Sequence, residues 1–144
     1  IRDKLVTGVQ TCALPISGES VQLAEMMANV VQTVPFYRSK TLVPGYVVGG
    51  KTGTAQIWDP KARGGKGDWK PNIFNFSFVG YIGKEAPRLV VGIRISEGRP
   101  TINKPGEIVL PVMSFELFRR IATDSITMLD LPPTSGGQLA SYTP

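Results

Sequence analysis

The sequence predicts an α+β fold in which three antiparallel strands are flanked by an N-terminal and a C-terminal helix. Two segments near the ends of the chain carry apolar residues at helical spacing: Leu23, Met27, Val30 and Val34 in the first, and Leu110, Met113, Leu117 and Ile121 in the second. Between them, three segments have the β-branched and aromatic composition of strands: 45–58, 73–82 and 88–96. No internal repeat is present, so these segments are expected to form one domain.

The composition is that of a globular chain that can bury a core. The 144 residues are 42% hydrophobic and 19% charged, with a mean hydropathy of +0.02, and this length is typical of one domain. The chain has no histidine and one cysteine, Cys12. A Ser-His-Asp triad, a Cys-His pair, an internal disulfide and a Cys-x-x-Cys metal site are therefore excluded, and we expect neither a metal nor a cofactor.

The charge balance is basic, with 16 Lys and Arg against 11 Asp and Glu, a net charge of +5 and a pI near 9.6. Such a balance favours acidic partners. The basic residues are scattered, however, and the densest group lies in one glycine-rich stretch: Lys61, Arg63, Lys66 and Lys70. A solvated loop explains this group better than a nucleic-acid surface, which needs cations clustered on one face. A basic module that binds an anionic polymer remains an alternative.

The chain divides into three parts by its local pattern. Residues 1–16 show no helical or strand period and are interpreted as a non-native junction or a disordered segment. Residues 17–132 hold the predicted elements, and residues 133–144 are rich in Pro, Gly and Ser and are expected to form a flexible tail.

The elements of the central part follow in order. A well-buried helix is predicted over 19–33, followed by a loop over 35–44. The first strand is interrupted by Gly49, Gly50 and Gly53, which suggests that another backbone or a ligand approaches it closely. A long connection is predicted over 59–72, then a hairpin from 73 to 96, a loop over 98–106, and a final helix with Pro111 in its first turn.

One segment matches the G-x-x-x-x-G-K-[ST] pattern of a phosphate-binding loop, through Gly45, Gly50, Lys51 and Thr52. Such a loop must follow a strand and open a helix. Here Pro44 precedes the pattern, Gly53 follows it, and bulky strand-forming residues occupy its interior. The sequence therefore disfavours nucleotide hydrolysis.

The same segment resembles the third motif of the penicillin-binding transpeptidases. The letters KTGTAQ at 51–56 are followed by FSFVG at 76–80 and by LVVGI at 89–93 before the closing helix, in the order found in that family. Residues 18 to 132 are similar to the C-terminal half of a class B, monofunctional transpeptidase domain. The resemblance implies part of the serine β-lactamase/transpeptidase-like fold.

The resemblance also implies roles for individual residues. Lys51 would line the site and tune proton transfer, and the hydroxyls of Thr52 and Thr54 would bind the terminal carboxylate of D-alanyl-D-alanine or of a β-lactam. The Thr54 N–H would be one oxyanion-hole donor, and Gly53 would let the substrate backbone approach. Gln56 is a candidate substrate contact, although an exposed polar strand residue explains it equally well. An extended peptide and its carboxylate would share one groove along this strand.

The family's nucleophile is the serine of a Ser-x-x-Lys motif, and a Ser-x-Asn motif assists it. No serine here has Lys three positions later or Asn two positions later. We therefore expect a fragment, inactive alone, whose missing N-terminal half would complete the domain. The intact parent would be anchored at the outer face of the bacterial membrane, would cross-link peptidoglycan stem peptides, and would work with division or elongation proteins. A β-lactamase-like hydrolase fragment is the second alternative.

Overall fold

The computed structural model describes residues 17–83, 87–102 and 108–134. In chain order, the elements are α1 (Ser17–Thr33), α2 (Pro35–Thr41), β1 (Val48–Asp59), a helical turn α3 (Ala62–Gly65), β2 (Asp68–Ile82), β3 (Leu89–Gly98), β4 (Thr101–Ile102), β5 (Ile108–Val109) and α4 (Ser114–Met128). The main sheet is antiparallel with the order β1-β2-β3, and β4 pairs with β5 in a separate ribbon. The predicted α+β class, with three strands between two terminal helices, is confirmed.

The main sheet has a covered face and an outer face, because successive side chains of a strand point in opposite directions. On the covered face, Phe78 of β2 lies against two aromatic residues of α4, with ring centroids 6.3 Å from Phe115 and 5.1 Å from Phe118. All three rings are almost fully excluded from solvent. Burying a side chain of this size contributes about 1.5–3 kcal/mol, so this aromatic group fixes α4 on the sheet.

Helix α1 is less buried than its sequence predicts. Ala28 and Val31 are buried, but Leu23 is 55% exposed and Met26 is 67% exposed. The helix contacts β1 and α2, and several of its apolar side chains are not covered by any described element. The prediction of a well-buried helix was therefore wrong for most of its length.

The segment predicted as a loop over 35–44 contains helix α2. Pro35 occupies the start of this helix, where its missing N–H costs no hydrogen bond. Phe36 and Tyr37 then contact Phe115 edge-to-face, with ring centroids 5.2 and 5.3 Å away. Packing on α4 thus stabilises a helix too short to be recognised from periodicity.

The connection predicted over 59–72 is much shorter in the structure. The β1–β2 ladder continues to the pairs Trp58↔Trp69 and Asp59↔Asp68, after a register shift that follows Gln56. Pro71 and the left-handed Asn72, with φ of 53°, lie in this irregular stretch. The sequence pattern of these residues predicts a turn, but in the structure they lie at a bulge within a long hairpin.

The C-terminal boundaries also differ from the prediction. Helix α4 begins at Ser114, so Pro111 lies before it. Strand β4 lies inside the predicted 98–106 loop, and its partner β5 follows the loop. The first residues of the predicted tail are held in place: Thr134 donates its N–H to Gly45 O at 3.0 Å, and its hydroxyl accepts the Val47 N–H at 3.4 Å. The predicted junction 1–16 and the rest of the tail lie outside the described residues.

No helix in the described ranges combines the length and the apolar character needed to cross a membrane.

Candidate functional site

The KTGTAQ segment lies within β1, at the edge of the main sheet. On one side β1 pairs with β2, and on the other side it has no strand partner among the described residues. The backbone is extended without interruption from Val48 to Asp59. This confirms the strand prediction, and it excludes a phosphate-binding loop, which would open a helix after Thr52.

The pairing pattern determines which backbone groups of β1 point to the free edge. Gly83 N–H donates to Val47 O at 3.0 Å, so these two residues form a hydrogen-bonded pair. Such pairs alternate with non-hydrogen-bonded pairs along an antiparallel ladder. In the observed register, Lys51 and Gly53 therefore bond to β2, whereas Thr52 and Thr54 direct their N–H and C=O groups outward.

Lys51 places a cation beside this outward-facing backbone. Its side chain is exposed, and its Nζ donates to Thr52 O at 2.9 Å. No described carboxylate forms an ion pair with it. The edge therefore combines a free positive charge with the outward N–H group of Thr54, which is an arrangement that can bind an extended peptide and an anion.

The two threonines of the motif differ in their surroundings. Thr52 Oγ1 is hydrogen-bonded to the Tyr37 hydroxyl of α2 at 3.1 Å, whereas Thr54 is exposed. Strand alternation places both hydroxyl groups on the covered side and Lys51 on the outer side. The structure therefore does not bring the ammonium group and both hydroxyls onto one face. Gln56 is exposed farther along the strand.

The space that a side chain would occupy at each of three glycines of β1 is filled by a side chain from β2. A Cβ atom at Gly49 would lie 2.3 Å from the Tyr81 ring, and one at Gly50 would lie 2.2 Å from the Phe78 ring. A Cβ atom at Gly53 would lie 2.6 Å from Ser77 Oγ. The sequence suggested a close approach by backbone or ligand, but the observed neighbours are side chains of the adjacent strand.

Tyr37 is the contact that the sequence analysis missed. It lies in the segment predicted as a loop, and its ring is held between α2 and α4 while its hydroxyl reaches Thr52. The available signal was Pro35, a residue favoured at the first position of a helix. The described residues contain no cluster of His, Cys, Asp or Glu that could hold a metal ion.

The family model described as the penicillin binding protein transpeptidase domain matches residues 9–114, which is well over half of the chain. The chain belongs to the penicillin-binding protein transpeptidase family. The match begins inside the stretch 1–16 that the sequence analysis set apart, and it ends where α4 begins.

Curated relatives are similar to this transpeptidase sequence. Stage V sporulation protein D of Bacillus subtilis is 35% identical over 91 residues, covering 63% of the chain. Penicillin-binding protein PbpB of Mycobacterium tuberculosis is 33% identical over 114 residues, covering 74% of the chain. The chain spans only 12% and 16% of the length of these two relatives.

Solved transpeptidase structures share the fold. Penicillin binding protein 3 of M. tuberculosis, complexed with ampicillin, superposes with a TM-score of 0.61 at 27% identity, and covers 82% of this chain and 25% of its own. The apo transpeptidase domain of penicillin-binding protein 3 from Burkholderia pseudomallei gives 0.52 at 29% identity, with 78% and 30% covered. The expected membership of this family, and its α+β fold, are therefore confirmed.

Proposed function

We propose that this chain contributes the substrate-binding edge strand of a peptidoglycan D,D-transpeptidase that works through a serine acyl-enzyme. The observation that carries the proposal is the edge of β1 at KTGTAQ, which no described strand covers and where Thr52 and Thr54 direct backbone groups outward beside the Lys51 ammonium. A donor peptide would add to this edge as a further strand, with its terminal carboxylate near the cation.

In the proposed reaction, a serine hydroxyl attacks the carbonyl of the penultimate D-alanine, and the terminal D-alanine leaves with the proton. The amine of a second stem peptide then displaces the serine and completes the cross-link. The Thr54 N–H is suited to hold the carbonyl oxygen as it gains negative charge, because it is not used in the sheet. No Ser-x-x-Lys sequence is present in this chain, so the nucleophile would come from another part of the same domain.

Lys51 and Thr54 would act at the reacting end, and Thr52 would act from the covered side through its hydrogen bond with Tyr37. Gly53 would keep the strand closely paired with β2 at Ser77, and Gln56 would contact the substrate beyond the motif. The parent protein would lie at the outer face of the bacterial membrane, and its partners would include stem peptides, β-lactams and proteins of division or elongation.

The test is fluorescent-penicillin labelling of the intact parent protein. We expect Lys51→Ala to reduce the labelling rate by about a hundredfold, which is typical for loss of a group that stabilises developing charge. Thr54→Val keeps the backbone N–H and removes only the hydroxyl that would bind the carboxylate, so we expect it to reduce the rate about tenfold. Arg120→Ala and Thr123→Val are matched controls, because both residues are exposed on α4. Slow release of the bound acyl group would support a transpeptidase, whereas rapid release would indicate a β-lactamase. Unchanged labelling in both site variants would refute the proposal.

A further inference from the structure

The far end of the β1–β2 hairpin carries an exposed pair of indole rings. Trp58 and Trp69 are directly opposite each other in the ladder, and each is 49% exposed. Their ring centroids are 5.2 Å apart and the rings meet at 79°. The two rings therefore form an L-shaped surface, which we call the tryptophan corner. A contiguous exposed aromatic surface is a candidate binding surface.

Free positive charge lies next to the tryptophan corner. Four cations belong to this end of the hairpin, but two are neutralised: Arg63 Nε lies 3.6 Å from Asp68, and Lys70 pairs with Glu97. The Lys70 ammonium also lowers the pKa of the Glu97 carboxyl group. Lys61 and Lys66 are exposed and form no ion pair within the described part of the chain. These two lysines can therefore bind an external anion.

The loop that carries the two lysines is folded against the corner. Gly67 has a φ of +80°, and a Cβ atom there would lie 2.2 Å from the Trp58 ring. At the other end of the loop, the Asp59 carboxylate accepts the Lys61 N–H at 2.9 Å. Trp58 therefore has a fixed neighbour on one side, and the backbone of the loop that carries the two lysines is held next to the corner.

We propose that the tryptophan corner, with Lys61 and Lys66, is a binding site for an acidic oligosaccharide. The C–H faces of a pyranose ring are apolar and stack on an indole, while the second ring closes one side of the sugar. Carboxylates carried by the saccharide would pair with the two lysines. This proposal concerns the opposite end of β1 from Lys51 and does not rest on the proposed transpeptidase function.

A membrane surface is the competing ligand, since Trp and Lys also favour lipid interfaces. The outermost part of the hairpin argues against it, because residues 60–67 contain no large apolar side chain that could enter a bilayer. The two rings are nearly perpendicular and each is only half-exposed, so they offer a small concave surface. Such a surface fits a single sugar ring better than a flat membrane. The acidic saccharide is therefore the ligand that the structure favours.

The test uses the 144-residue chain and its own fluorescence, because Trp58 and Trp69 are its two tryptophans. Hexagalacturonate is the acidic saccharide probe, maltohexaose is the neutral saccharide, hexaglutamate is the acidic peptide, and phosphatidylglycerol vesicles are the membrane. We expect hexagalacturonate to change the tryptophan emission and to bind about tenfold more tightly than maltohexaose or hexaglutamate. Equal binding of hexaglutamate, or a response to vesicles alone, would overturn the proposal, as would no response.

Variants separate the ring contribution from the charge contribution. Trp69→Ala and the double change Lys61→Gln with Lys66→Gln should each weaken hexagalacturonate binding about tenfold, with Trp58 still present as the reporter. The matched control is Arg88→Gln with Arg120→Gln, which removes two exposed cations far from the corner. Trp69→Ala could weaken binding by unfolding the hairpin, so Trp69→Phe is included as a conservative variant. It keeps an aromatic ring at this position and should retain measurable binding. Equal weakening by the control pair would contradict a specific site.

Discussion

Phe78 reaches from β2 to lie against the backbone of Gly50 in β1, and Tyr81 does the same at Gly49. Each glycine removes the side chain that would collide with an aromatic ring of the neighbouring strand. The two glycines before Lys51 are therefore requirements of packing within the sheet. They also bring the rings over β1, which keeps the start of the KTGTAQ segment well ordered against β2.

Gly50→Ala should destabilise the protein by about 1–3 kcal/mol, because the added methyl group would overlap the Phe78 ring in a filled core. Gly92→Ala is the matched control, since Gly92 lies in β3 of the same sheet with no atom within 4 Å of its added Cβ. Urea unfolding of both variants measures the difference. Equal midpoints for the two variants would show that the Phe78 ring moves aside without cost.

The hydrogen bond between Tyr37 and Thr52 links α2 to the motif. Tyr37→Phe removes the hydroxyl alone and should cost about 0.5–1.5 kcal/mol of stability. Tyr46→Phe is a matched control, because the Tyr46 hydroxyl donates to Leu131 O at 2.6 Å, away from Thr52. In the intact parent, we expect Tyr37→Phe to slow penicillin labelling about threefold, and Tyr46→Phe to leave it unchanged. Equal labelling rates would limit Tyr37 to a structural role.

The placement of Lys51 and Thr54 on one strand was predictable from the sequence, because a short motif contains both, and their roles in a site stay predictions. The side chains that contact this strand from other elements were not predictable. Tyr37 lies 15 positions before Thr52, and only the folding of α2 against Phe115 brings the hydroxyl to the strand. Such contacts depend on tertiary packing, which local patterns do not encode.

Helix α1 is attached to the sheet in part through one tyrosine. The Tyr81 hydroxyl of β2 donates a hydrogen bond to Ala24 O of α1. Burial, and to a lesser extent the charge of Glu25, raise the pKa of Tyr81 above its usual value of 10.0. The folded protein therefore favours the protonated phenol, which is also the form that can donate to α1.

The sign of the pH dependence follows from that raised pKa. The stabilising contribution of Tyr81 is fully present below the pKa of the unfolded chain, near 10, and it is lost as pH rises through the higher pKa of the folded protein. The stability difference between wild type and Tyr81→Phe should therefore be constant from about pH 7 to 9 and shrink above about pH 10. Urea unfolding at each pH measures it. A constant difference for Tyr81→Phe would contradict this account.

Elements with a strong period were predicted well, and irregular ones were not. The three strands and the two terminal helices follow from runs of apolar and β-branched residues. The β1–β2 hairpin was cut short in the prediction because Pro71, Asn72 and three glycines resemble a loop. In the structure, the pairing of Trp58 with Trp69 continues the ladder beyond the bulge, and that cross-strand contact has no local sequence signal.

For the molecule as a whole, burial is the property that the sequence predicted least well. Large apolar side chains are exposed on α1 and on the outer face of the sheet, including Val21, Leu23, Met26, Val79 and Val90. On α1 the helical period of the apolar residues predicts burial, which the structure does not show for most of them. Which other segment lies against a face is a property of the complete assembly of elements, and a one-dimensional pattern does not contain it.

The main sheet ends in two different unpaired edges within the described residues, one on β1 and one on β3. If β1 of one molecule pairs with β3 of the next, the same two edges are again exposed at the ends of the pair. This head-to-tail contact has no reason to close on itself, and it favours open filaments over a compact dimer. High protein concentration would therefore promote fibrous precipitation of the isolated chain. A peptide bound along β1 would occupy the edge that the next molecule needs, and it would stop the growth of the filament at that end.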